Sequence, residues 1–191
     1  MTTIAWTPGC FAADSCITHT DENALPGYRT FSRKLKFERL EPARARGVEV
    51  LALASKGAAT VGTVLDELVK EQALNLLKPR SRTDFAKAIN SPSLVKKRRQ
   101  LIGDADVAQL LTLWYADHEK CFLVEQNGLV QLVTDPYVAI GWDSAPAYGS
   151  LRAGKDALFA VESATMFGCY TAKPIHYLRR GSKGIEFATL T

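Results

Sequence analysis

The chain opens on two short segments with the hydrophobic pattern of strands. Residues 2–7 and 10–18 are small or β-branched through most of their length, and the Pro8-Gly9 pair between them is a turn signal, so they predict a hairpin that starts almost at once. The polar stretch 19–29, with Asp21, Glu22, Asn23, Pro26 and Gly27, predicts a loop leading into a strand over 30–40. Alternation along that strand puts Lys34 and Lys36 on one face, with Arg33, Leu35 and Phe37 on the other. The apolar run 48–54, bounded by Gly47 and Gly57, has the length of a buried strand. The period then becomes helical. Val61, Val64, Leu65, Leu68, Val69 and Leu76 predict a helix over 58–77 that ends before Pro79, and a second helix over 83–101 is interrupted or restarted at Ser91-Pro92. After Gly103 the pattern predicts strands over 107–115, 120–125 and 128–133, the last two joined by an Asn127-Gly128 turn. Residues 144–167 predict one helix opening near Ser144-Ala145-Pro146, and 175–180 and 185–189 predict two closing strands. This order fits an α+β fold or a layered sandwich, and no internal repeat competes with a single domain over 1–191.

Composition narrows the function classes. At 191 residues, 47% hydrophobic and 23% charged, the chain is an ordinary globular protein of one-domain size. No apolar run approaches the ~18 residues of a membrane span, and the start lacks a basic region followed by an apolar one, so a cytoplasmic protein without a membrane partner is expected. Cys10, Cys16, Cys121 and Cys169 show no framework spacing and read as free thiols. The net charge of +4, from 24 basic and 20 acidic residues, is mild. Its basic clusters at 78–82 and 96–99 have only Phe85 near them for base stacking, which argues for a solvated face or subunit contact and against nucleic acid.

The chemistry gathers at the start. If Met1 is removed, Thr2 carries both a hydroxyl nucleophile and a free α-amine, which titrates near ~8 and can serve as base. No histidine is then required. Lys34 would supply a positive charge that lowers the proton affinity of the Thr2 groups, and Asp14 would orient that ammonium. Asp117-His118-Glu119 reads as a solvated turn, since adjacent residues point different ways, and His176 reads as part of a closing strand.

Taken with the small-residue stretch 54–59, the segment 137–141 and the tail Tyr170-Thr171-Ala172-Lys173-Pro174-Ile175, the motifs at 2–5, 11–15 and 33–35 resemble the proteasome β-type subunits. In particular they resemble bacterial HslV-like peptidases and bacterial proteasome homologues. The resemblance implies a four-layer αββα Ntn-hydrolase fold and a threonine peptidase with Thr2, Asp14 and Lys34 as its catalytic residues. It implies stacked homo-oligomeric rings of about 12 to 14 subunits acting on peptides or proteins, allows an ATP-dependent unfoldase as partner, and calls for no metal or organic cofactor.

Support around the trio differs from the family pattern. The corner expected to present a backbone N–H to the oxyanion is Ser55-Lys56-Gly57, where Lys56 stands near the family's Gly and either strengthens oxyanion binding or obstructs the substrate. The family's Gly-Ser-Gly reads Gly141-Trp142-Asp143-Ser144 here, so the proton-handling role of that Ser is lost unless Asp143 or Ser144 takes its place. Gly168 matches a family Asp that contacts the Thr amine, while Thr171 keeps its hydroxyl partner. Two rival readings follow: a catalytically inactive ring-forming subunit, and an Ntn amidohydrolase acting on small amides.

Overall fold

A computed structural model of the chain describes residues 2–19, 30–33, 37–40, 48–56, 92, 108–115, 119–124 and 130–191. The chain divides into two compact units, one of Met1–Phe37 with Tyr137–Thr191 and one of Glu38–Pro136.

The first unit is organised by a five-stranded sheet. Its strands are β1 (Thr3–Thr7), β2 (Cys10–Asp14), β10 (Val138–Gly141), β11 (Ile175–Gly181) and β12 (Gly184–Leu190), in the order β10-β1-β2-β11-β12 with every neighbour antiparallel. The Pro8-Gly9 hairpin expected from the sequence is present and sets the register Thr7↔Cys10. Two helices, α1 (Ser144–Arg152) and α2 (Ala157–Phe167), pack on this sheet. Small side chains allow the close approach. Ala5, Ala12 and Ala139 on the strands meet Ala147, Ala157, Ala160 and Ala164 on the helices, with Leu151, Val161 and Ile175 filling the remaining space. Alternation then sends Ile4, Trp6, Phe11, Ala13 and Leu178, all buried, to the other face.

β3 (Cys16–His19) and β4 (Thr30–Arg33) form a separate antiparallel pair. The second unit holds a five-stranded sheet of β5 (Phe37–Leu40), β6 (Val48–Lys56), β7 (Ala108–Tyr115), β8 (Glu119–Val124) and β9 (Val130–Leu132) in sequence order. The strands expected at 48–54, 107–115, 120–125 and 128–133 correspond to β6 through β9. The helices expected over 58–77 and 83–101 lie outside the described residues, apart from Pro92, which is helical.

Several expected elements are divided. The strand expected over 10–18 breaks at Ser15, whose N–H (3.1 Å) and Oγ–H (2.7 Å) both donate to the Pro174 carbonyl, after which the chain leaves the sheet for the β3–β4 pair. The strand expected over 30–40 becomes β4 and β5, which belong to different sheets. The single helix expected over 144–167 is two. Gly154, at φ +77°, turns the chain out of α1 while the Ala153, Gly154 and Lys155 N–H groups close onto Gly149, Leu151 and Ser150 carbonyls. Asp156 then restarts the helix by accepting the Phe159 N–H at 3.0 Å.

Asp156 also pairs with Arg179 of β11, but both side chains are more than a third exposed and solvent screens the pair. The cap therefore dominates its contribution. Asp156→Ala is expected to lower unfolding stability by about 1 kcal/mol and Asp156→Asn, which keeps the cap, by less than half of that in a denaturant titration. Equal losses in the two variants would transfer the contribution to the ion pair.

Candidate active site

The segment expected to carry the nucleophile is enclosed. Thr2 is 1% exposed and immediately precedes β1, whose residue Thr3 pairs with Gly141 of β10. Thr3 and Ala5 face the helices, and continuing the alternation puts Thr2 on the side of Ile4. Gly141 lies directly against the Thr2 peptide. A Cβ built there would fall on the Thr2 carbonyl oxygen and 2.8 Å from the Thr3 Cα, at a φ of +127° that side chains rarely adopt. Glycine at 141 thus lets the start of β1 pair closely with β10.

Asp14 ends β2 and is fully buried. Its Oδ1 accepts the Thr3 N–H at 2.8 Å, a charge-assisted bond that fixes the backbone one residue after Thr2. The carboxylate expected to orient Lys34 therefore also anchors the strand; Lys34 itself, like its rival Lys36, lies outside the described residues.

The Thr3 side chain enters a second set of bonds. Thr3 Oγ1 and Thr171 Oγ1 are 2.7 Å apart, and Thr171 Oγ1 donates at 2.7 Å to Oδ2 of Asp143. Asp143 further accepts the Tyr170 N–H at 2.7 Å on Oδ2 and the Cys169 N–H at 3.1 Å on Oδ1. Asp143 is thus the residue of the 141–144 segment that turns inward. Trp142 is 67% exposed with its ring 5.7 Å from that of Tyr170, and Ser144 opens α1 without joining the Asp143 bonds. Gly168 has no room for the side chain whose loss the sequence suggested: a Cβ there would overlap the Ala164 carbonyl and the Asp143 carboxylate. Asp143 fills that space.

Of the residues expected to form the site, Asp14, Asp143 and Thr171 come together around Thr3, next to Thr2. Lys56 ends β6 in the other unit, opposite Ala108, and Gly57 lies outside the described residues. Thr3 was not anticipated, because nothing local announces a contact with a residue 168 positions away. Asp143 is anticipated from the Gly141-Trp142-Asp143-Ser144 segment, as one of two alternatives with Ser144.

Two of the thiols, Cys10 and Cys121, are buried and poorly suited to act as nucleophiles. Burial, reinforced by the Asp156 charge, pushes the Cys10 thiol up to about 11, and burial raises that of Cys121 further. His176 has its pKa lowered by burial, bonds Thr189 at 2.9 Å and stacks on Phe187. Among the described residues no three His, Cys, Asp or Glu side chains are grouped to hold a metal ion, and no helix is long and apolar enough to cross a membrane.

No family model and no curated protein sequence matches the chain. Solved structures do. The Gly-1 mutant of Anbu from Hyphomicrobium sp. strain MC1 superposes with a TM-score of 0.71 at 15% identity, over 100% of this chain and 84% of that one. Anbu from Yersinia bercovieri, described as an ancestral beta-subunit, gives 0.69 at 18% identity over 99% and 87%. These matches correct the resemblance drawn from the motifs: the neighbours are Anbu proteins and not HslV, and at such identities the likeness is one of fold alone. The chain has the proteasome-subunit-like Ntn-hydrolase fold.

Proposed function

We propose that this chain is a subunit of a proteasome-like homo-oligomer whose Thr2, once Met1 is removed, hydrolyses peptide bonds. The observation that carries the proposal is the convergence of Asp14, Thr171 and Asp143 on Thr3, which fixes the backbone beside Thr2 from its amide and from its side chain. Asp14 and Asp143 are both buried, and their carboxylates spend their hydrogen bonds on Thr3 and on the 169–171 segment that holds its hydroxyl. In the proposed reaction the Thr2 hydroxyl attacks the scissile carbonyl while the α-amine takes its proton. Lys34, oriented by Asp14, favours the deprotonated hydroxyl, and a backbone N–H receives the oxyanion. The amine returns the proton to the leaving group, and water releases the acyl ester on Thr2. An enclosed chamber formed by further copies would keep such a site from bystander proteins.

A second reading, the inactive subunit, is favoured by the burial of Thr2, which is 1% exposed. A peptide boronate or epoxyketone separates the two. Incubated with protein that begins at Thr2, it is expected to add one adduct, located on Thr2 by mass spectrometry, on particles that light scattering sizes as many subunits. Lys34→Ala is expected to abolish the adduct and Lys36→Ala to keep most of it. Absence of any adduct on Thr2 would leave the inactive subunit as the better reading; loss only at Lys36 would reverse the lysine assignment.

A further inference from the structure

Asp143 occupies the capping position of α1, yet its side chain caps nothing there. It is 8% exposed and turns instead to the 169–171 segment, where it takes three hydrogen bonds. A carboxylate only accepts, so Thr171 gives its proton to Oδ2 of Asp143 and, in turn, accepts the proton of Thr3. Both hydroxyl protons therefore point away from the start of β1 toward Asp143. Among the described residues no Lys or Arg pairs with this carboxylate. Its negative charge stands two 2.7 Å hydrogen bonds from Thr3 Oγ1, on the residue that follows Thr2.

We propose that Asp143 is a positioning residue that sustains the proton affinity of the Thr2 α-amine, acting through Thr171 and Thr3 on the reaction proposed above. The inference rests on that reading. A base in acyl transfer must hold the hydroxyl proton as an ammonium, and a nearby buried negative charge favours the ammonium. Asp143 supplies this charge from the turn after β10, in the volume that a side chain at position 168 would need.

Other charged and titratable groups surround β1. β2 contributes Asp14, bonded to the Thr3 N–H, and Cys10 at the far end of the hairpin. The 168–174 segment contributes Cys169, Tyr170, whose ring meets Trp142, and Lys173, paired with Glu162 of α2. β11 contributes His176, Tyr177, Arg179, paired with Asp156, and Arg180; α1 contributes Tyr148 and Arg152, and β10 none. Lys34, if placed as proposed, works against Asp143 and lowers the amine.

Asp143→Asn isolates the charge. An amide oxygen in the place of Oδ2 still accepts from Tyr170 N–H and Thr171 Oγ1, so only the longer Cys169 bond is given up. The protein is made with ¹⁵N-threonine and released from a fusion cleaved directly before Thr2, and the amine nitrogen is titrated by NMR. Asp143→Asn is expected to lower the amine's midpoint by about one pH unit, and Thr171→Val, which cuts the relay and leaves the charge, by less. An amine that titrates in Asp143→Asn as it does in the parent overturns the proposal. If that variant does not fold, Thr171→Val decides alone, and an unchanged midpoint there overturns it. A purely structural Asp143 would alter the melting temperature and leave the midpoint in place. Peptide hydrolysis is followed separately, so a midpoint lowered in Asp143→Asn while the parent cleaves nothing supports Asp143 and counts against the peptidase, while cleavage by the parent with a midpoint unmoved in Asp143→Asn does the reverse.

Discussion

Thr2→Ala is expected to eliminate peptide hydrolysis, a loss of at least about a thousandfold, while leaving the fold and the assembly intact. The substitution removes only a hydroxyl and a methyl from the residue before β1, and Asp14 still holds the Thr3 N–H. Thr2→Ser, which keeps the nucleophile, is expected to retain part of the rate. A protein that keeps Met1 has an amide nitrogen where the base should be, and an amide does not take a proton near neutrality. The Met1-retaining form should therefore be as inactive as Thr2→Ala. In the exposed form the amine must be unprotonated to act, so the rate should rise with pH through the amine's midpoint near ~8 and be lost as pH falls below it. The decisive comparison is peptide cleavage by the Met1-retaining, Thr2-exposed and Thr2→Ala proteins, each of confirmed N-terminal mass. Equal cleavage by all three would refute the amino-terminal threonine mechanism.

Elements whose signals are local could be read from the sequence. Pro8-Gly9 marks the β1–β2 hairpin, and the alternation over 107–133 marks β7, β8 and β9. The break between α1 and α2 was equally local, a Gly154 followed by the capping Asp156, but the apolar positions on both sides kept a helical period and hid it. β10 carries no readable strand pattern, because it has only four residues and its pairing with β1 joins residues far apart in the chain. The candidate site divides in the same way. Thr2 and Asp14 lie in one hairpin and could be connected by chemistry alone. Asp143 and Thr171 could be picked out as candidates, yet neither the inward turn of Asp143 nor the outward turn of Trp142 follows from periodicity. Both depend on the 168–171 segment, which supplies two N–H groups and a hydroxyl to Asp143 and a ring to Trp142.

Two glycines eight positions apart are expected to respond in opposite directions to the same substitution. Gly149, within α1, has nothing within 4 Å of an added Cβ, so Gly149→Ala should stabilise the protein by about 0.5 to 1 kcal/mol through helix propensity and a less flexible unfolded chain. Gly141→Ala meets two obstacles at once. Its φ of +127° is strained for any side chain, and the new Cβ would fall on the Thr2 carbonyl, a backbone atom that no rotamer change can move aside. The variant should lose about 3 kcal/mol or more, or relieve the overlap by pushing the residues before Thr3 away from β10. Denaturant unfolding of the two variants, compared at equal m-value, tests the pair. The second route leads back to function. An amino terminus displaced from Gly141 is no longer aligned by the Asp14 and Thr171 bonds to Thr3, so electrophile attachment to Thr2 should fail in Gly141→Ala even where the protein still folds. Full stability together with full attachment would mean that the close approach of Thr2 to Gly141 does not exist in solution, and the geometry on which the proposed reaction depends would fall with it.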